Sequence, residues 1–168
     1  TKDLIAILDQ FEIPATHFLI GNNIKKYPDM AKEYVNRGDY IGMHSMSHDY
    51  NRLYKKGKIV EEVMETQQLI KEQVNILPTL FRCPYGSSPG LNKKLRDQAA
   101  HAGLKMWDWT IDSKDWKLQE NPSKIKGEIL KQLNGSEEII LIHEKKGTIE
   151  ALPGIIKSIK EAGYEFER

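Results

Sequence analysis

Apolar residues recur along this chain at two spacings, one helical and one alternating, and the two take turns. Leu4, Ile5, Leu8 and Phe11 follow helical spacing over residues 3–11, and Pro14 ends the run. Residues 15–20 form a short β-rich run stopped by Gly21, and 24–37 return to helical spacing with Gly38 as a C-terminal cap. Residues 40–43 read as a strand, and 59–74 as a long amphipathic helix with apolar Ile59, Val60, Val63, Met64 and Ile70. The second half repeats the scheme. Strands are predicted over 79–82, 104–111, 138–142 and 164–167, and helices over 91–101, 123–133 and 149–162. Gly103 and Gly163 close two of these helices, and Ser123 caps one after Pro122. Six strands alternating with helices over short connections predict an α/β fold with a parallel sheet, doubly wound or closed as a (β/α) barrel.

The unusual residues gather where the predicted strands end. His44 and His48 follow the second strand, and Arg82-Cys83-Pro84-Tyr85-Gly86 the third. Asp112-Ser113-Lys114-Asp115-Trp116 follows the fourth, and His143-Glu144 the fifth. In a βα barrel the loops after the strands share one face, where catalytic groups collect from several strands. Four successive strand ends bearing polar groups fit that arrangement better than a crevice at one switch point. The expectation is that the imidazoles, the guanidinium and the acid surround one pocket.

The 168 residues suffice for one domain, 1–168, and hardly for two. Composition is that of a globular protein, 39% apolar and 29% charged. The 25 basic and 24 acidic residues leave a net charge of +1 and no basic field for nucleic acid. Cys83 is the one cysteine, which excludes an internal disulfide. No run of about 18 apolar residues is present to span a membrane. The opening Thr1-Lys2-Asp3 begins a helical pattern rather than a signal peptide, the start expected of an excised domain.

Two histidines four residues apart can aim two imidazoles at one point, the way a protein holds a transition metal with an open position. The bland alternative is one satisfied loop histidine and one exposed histidine. A helical His-x-x-x-His zinc protease motif needs Glu after the first His; here Ser45 stands there and the segment follows a strand. His143 ends an apolar run, where a partly buried histidine bonded to backbone is the plain reading. Beside a metal it becomes a general acid, with Asp115 to orient it and favour its charged form. Arg82 is either a surface ion pair or a fixed cation that keeps a catalytic carboxylate ionised. Pro84 and Gly86 make a stiff turn able to point a backbone N–H into a pocket. Trp107 and Trp109 read as core, whereas Trp116 could wall the site or stack on a sugar. Cys83 reads as a small packed residue rather than a nucleophile.

Taken together these residues resemble the NodB-type polysaccharide deacetylases, carbohydrate esterase family four. The resemblance runs through Ala15-Thr16-His17-Phe18 with Gly21, His44 to His48, Arg82 to Gly86, Asp112 to Trp116 and Leu141 to Glu144 with Thr148. It ends with Ala151-Leu152-Pro153 and Gly163-Tyr164, and is nearest to bacterial peptidoglycan and chitin-type N-acetylglucosamine deacetylases. It implies a distorted (β/α) barrel that hydrolyses N-acetyl groups from a polysaccharide or oligosaccharide and releases acetate. By position, His44 and His48 would bind a divalent metal, zinc first, with cobalt or nickel as substitutes. Arg82 would hold the catalytic base, the Tyr85 N–H would bind the oxyanion, and Asp115 would tune His143, the general acid. Trp116, Leu141 and Pro84 would shape the substrate pocket. The family's first strand, ending in an Asp-Asp-Gly motif that carries the base and a third metal ligand, should precede Thr1; residues 1–168 lack it and by themselves are expected to be an N-terminally incomplete domain, inactive and with the metal site incompletely ligated. His17 replaces the family's usual aromatic residue, and Glu144 a frequent Asp. An extracellular or cell-surface bacterial location follows from the resemblance, as do two alternatives: a catalytically silent carbohydrate-binding relative, or an O-acetyl esterase.

Overall fold

Four strands, β1 (Thr16–Leu19), β2 (Tyr40–Met43), β3 (Leu80–Phe81) and β4 (Lys105–Met106), pair in that order and all run parallel. A computed structural model describes residues 2–167, which form two units: Ala15–Asp108, holding this sheet, and the chain up to Pro14 with Trp109–Glu167. Spatial order that follows chain order is that of a βα array wound one way. No reversal marks the switch point of a doubly wound sheet.

Helices α2 (Gly21–Lys26) and α3 (Asp29–Asn36) connect β1 to β2; α4 (Ile59–Val74) connects β2 to β3, and α5 (Lys93–His101) connects β3 to β4. The single helix predicted over 24–37 is therefore two. Pro28 has no N–H to continue the ladder and drives Tyr27 out of the helical region, to φ −129° and ψ 74°.

Strand β2 is the central element, with Ile41, Gly42 and Met43 buried. Asp39 fixes its entry: the carboxylate accepts the Ala15 N–H at 3.1 Å, Arg37 Nε at 2.8 Å and a bond shared with His17 Nε2 at 2.9 Å. Burial opposes ionisation of Asp39, but the bonds from Arg37, His17 and Ala15 outweigh it and hold its pKa below the usual range. His17 also stacks on Tyr34 with centroids 3.6 Å apart. An imidazole thus supplies both the flat face of an aromatic residue and a bond to the acid.

The second unit holds β5 (Ile111–Asp112) parallel to β6 (Ile140–Leu141), with α1 (Lys2–Gln10), α6 (Pro122–Leu130) and α7 (Lys146–Glu161). Ile111, Ile125, Ile129, Ile155 and Ile159 form its core. The strand predicted over 104–111 is β4 and β5, one in each unit. Its backbone changes partner within three residues: the Trp107 N–H donates to the Phe81 carbonyl, the Thr110 N–H to that of Ile139. The strand predicted over 164–167 has no ladder partner among the described residues, yet Tyr164 and Phe166 still pack on the isoleucine core. No helix among the described residues is long and apolar enough to cross a membrane.

A side chain at Gly42 would strike the Phe18 ring at 2.8 Å and the Leu80 carbonyl at 2.9 Å, and the carbonyl belongs to a paired strand. Gly42→Ala is expected to cost about 1–3 kcal/mol of stability in urea unfolding. An unchanged midpoint would mean that β2 and β3 do not approach so closely.

Candidate active site

His44 leaves β2 with its N–H donating to the Leu19 carbonyl at 2.8 Å, and its Nδ1 lies 2.8 Å from the Arg82 carbonyl. A carbonyl only accepts, so Nδ1 carries the hydrogen and Nε2 carries the lone pair of the neutral ring. Ser45 (φ 62°) and His48 (φ 56°) are left-handed, and the Ser45 hydroxyl oxygen accepts the His48 N–H at 3.0 Å. The resulting tight loop brings the two rings edge to face, centroids 5.0 Å apart. Gly21 lets the loop close. Its N–H donates to the Ser45 carbonyl, and a Cβ there would lie 1.9 Å from Met46 Sδ.

The buried stripe of α4 is Ile59, Glu62, Val63, Thr66 and Ile70, not the one read from apolar residues alone; Met64 is 47% exposed. Glu62 is fully buried on that stripe, beneath the histidine loop. Its carboxylate accepts the Met46 N–H at 3.0 Å, the Ser47 N–H at 2.8 Å and the Ser47 hydroxyl at 2.8 Å, and pairs with Arg52. Arg52 lies on a π-helical turn, Asn51–Lys55. The sequence signal was available: an acid and a threonine sit in helical phase with core isoleucines, where unpartnered charge is costly.

Beyond β3, Arg82 is buried rather than in a surface ion pair. It donates to the carbonyls of Trp107 and Asp108, both at 3.1 Å, and lies 4.3 Å above the Phe18 ring. Burial lowers its pKa to about 10, against the opposing charge of Asp108, so the guanidinium stays charged at neutral pH. The next turn is held at three points. The Tyr54 hydroxyl donates to the Pro84 carbonyl at 2.7 Å, the Tyr85 hydroxyl to the His48 carbonyl at 2.8 Å, and the Ser87 N–H to Asp108 at 3.2 Å. Tyr85 is left-handed (φ 66°), and no acceptor among the described residues bonds its N–H. Its ring is exposed, 4.7 Å from that of His48. Cys83 is buried, and desolvation pushes its thiol up to about 12, which leaves no thiolate for nucleophilic chemistry.

The other unit carries an acid–imidazole pair. Asp115 opens a 3-10 turn after left-handed Lys114 (φ 53°) and is fully buried. Its Oδ1 lies 2.7 Å from His143 Nδ1, while Oδ2 accepts the His143 N–H at 2.6 Å and the Thr148 hydroxyl at 2.7 Å. Burial disfavours the carboxylate, but these three bonds prevail and hold its pKa below the usual range. An ionised acceptor requires hydrogen on His143 Nδ1, which leaves Nε2 as the second nitrogen of a side chain 39% exposed. Gln119 backs the pair, donating to the Asp115 carbonyl at 2.6 Å and accepting the Gly147 N–H at 2.8 Å. Trp116 is half-exposed beside Asp115, and Leu141, half-buried, ends β6 opposite Asp112.

The predicted site residues thus form two clusters, one per unit: His44, His48, Arg82, Pro84 and Tyr85; then Asp115, Trp116, Leu141 and His143. Two imidazoles on one tetrahedral ion, bonded at about 2.0–2.1 Å, place their centroids about 5 Å apart. The His44–His48 spacing meets that, and a lone pair on His44 Nε2 is the required donor. Among the described residues no group of three or more His, Cys, Asp or Glu could hold a metal; His44 and His48 are two candidate ligands.

The polysaccharide deacetylase family model matches residues 1–107. A peptidoglycan-N-acetylglucosamine deacetylase of Bacillus cereus is 43% identical over 173 residues, covering 99% of this chain; the chain spans 63% of that relative's length. The crystal structure of polysaccharide deacetylase Bc1974 from Bacillus cereus matches with a TM-score of 0.95 at 42% identity, over 99% of this chain and 84% of that one. BA3943, a CE4 family pseudoenzyme from Bacillus anthracis, matches with a TM-score of 0.87 at 25% identity, over 98% and 57%. Sequence and fold agree across nearly every residue described, and the chain belongs to the polysaccharide deacetylase family.

Proposed function

We propose that this chain is the deacetylase domain of a protein that carries out metal-dependent hydrolysis of N-acetyl groups on N-acetylglucosamine units of a polysaccharide, peptidoglycan or a chitin-like polymer, releasing acetate. The observation that carries this reading is the buried Asp115 carboxylate bonded to the partly exposed imidazole of His143. Amide hydrolysis stalls unless the departing nitrogen is protonated, and His143 Nε2 supplies that proton while Asp115 fixes Nδ1–H. His44 and His48 would hold the divalent ion, zinc first, with cobalt or nickel able to substitute. When bound, such an ion acidifies water and polarises the amide carbonyl. The Tyr85 N–H meets charge developing on that oxygen, a donor worth roughly 3–4 kcal/mol in the transition state. Trp116, Leu141 and Pro84 wall the substrate. In this reading the base and the remaining ligand are the Asp-Asp carboxylates of the family's first motif, and Arg82 holds that base. A wall or chitin-like substrate also places the activity outside the cytoplasm.

The similarity to a CE4 pseudoenzyme favours one alternative, a relative that binds glycan without cleaving it. Acetate release from acetylated chitooligosaccharides and from peptidoglycan separates the two. Activity is expected to vanish on chelation and return with zinc or cobalt, whereas full turnover in metal-free protein would reject the mechanism. His143→Ala should lower turnover by about 10²–10⁴-fold with metal content unchanged, while His48→Ala lowers both. Equal metal loss in the two variants would remove His143 from the acid's role.

Asp115 also sets a pH dependence. Its folded pKa lies below the unfolded value, so its stabilisation is complete above about pH 4 and lost as pH falls through the folded value. The gap in melting temperature between wild type and Asp115→Asn should hold from pH 7 to about pH 5 and narrow below about pH 4. A gap that persists undiminished at pH 2 would contradict an ionised Asp115.

A further inference from the structure

We propose that Glu62 is a positioning residue for the His44–His48 loop: its buried carboxylate fixes the loop backbone so that the two imidazoles converge. This rests on the reading that the pair holds a divalent ion. Glu62 is not itself a ligand, because both its oxygens already face donors: Oε2 the successive Met46 and Ser47 N–H groups, Oε1 Arg52 and the Ser47 hydroxyl. Successive N–H groups after a left-handed residue form a concave anion site, and left-handed Ser45 precedes this pair. The carboxylate is the anion of that site, supplied by the protein from a neighbouring helix.

The loop needs such an anchor. Ser45 and His48 both hold a conformation that costs side-chain-bearing residues energy, and it persists only where the surroundings impose it. The Ser45 hydroxyl restrains His48 from within the loop, and Glu62 restrains Met46 and Ser47 from below. Without an acceptor at position 62, two N–H groups lose their partner, the Met46 one in fully buried surroundings, and the turn between the histidines relaxes. Partners that orient ligands at one remove typically change metal affinity by 10–100-fold when lost.

The test measures zinc and cobalt affinity by chelator competition in the intact protein, with amide exchange at Met46 and Ser47 in the metal-free form. Glu62→Ala should weaken both ions by about 10–100-fold and strongly accelerate exchange at those two amides. Glu62→Gln keeps an oxygen for both N–H groups and should restore affinity and protection close to wild type; Arg52→Ala, which removes only a half-exposed partner, should do the same. Wild-type affinity in Glu62→Ala with both amides still protected would overturn the proposal. Should that variant not fold, the wild type decides: free exchange at Met46 and Ser47 refutes the anchor, and protection matching the core strands supports it. Failure of the underlying reading looks different, since the wild type would then bind neither ion and the proposal would fall with it.

Discussion

A carboxylate withdrawn from water loses several kcal/mol of solvation unless donors replace the lost contacts. The protein places two such groups, Glu62 and Asp115, at full burial and satisfies each with three or more donors. In both cases two kinds of donor meet on one acid: a backbone N–H from a histidine-bearing segment, and a side-chain hydroxyl, that of Ser47 or of Thr148. The requirement runs in both directions. The acid needs its donors, so the loop supplying them has one favourable conformation, and the histidine on that loop inherits its direction. Among the described residues, four of the six non-glycine residues in the left-handed region, Ser45, His48, Tyr85 and Lys114, lie in the loops that carry the candidate site. Such conformations cluster where surrounding bonds over-determine the backbone.

Much of this architecture was legible from residue spacing, and what was not has identifiable causes. The bounds of β2 and α4 follow from period alone, because each is a complete run with clear ends. The apparent strand over 104–111 misled because its apolar alternation continues while the hydrogen-bond partner changes, and pattern carries no information about partner. Pro28 was visible, but period outweighed it and the broken helix read as one. Glu62 shares the core phase of α4, where a stripe defined by apolar residues alone passes over it. Its charge in that phase marks a buried acid, but the donors that satisfy it come from a loop 15–16 residues earlier in the chain. Histidine, arginine and aspartate at strand ends were conspicuous from chemistry, whereas the hydrogen-bond partners that orient them came from elements distant in sequence.

Family membership and local geometry speak to different parts of the chain. The family model ends at residue 107, so it takes in the histidine pair, Arg82 and Tyr85 but not the Asp115–His143 pair. That pair enters through the Bacillus cereus relative, which aligns along 99% of the chain. A fold shared with a pseudoenzyme shows that architecture alone does not confer turnover. In this chain the bonds to Asp115 fix which nitrogen of His143 carries hydrogen, a local feature that the shared fold does not by itself dictate.

The burial of Cys83 governs how that sulfur can react. Its sulfur is sealed between β3 and the Tyr85 turn, and its proton is held far more tightly than that of an ordinary thiol. Oxidants and disulfide-exchange partners act on the anionic sulfur, so this atom offers them almost no reactive form. Within this chain the lone cysteine is therefore withdrawn from disulfide chemistry, including cross-linking between copies.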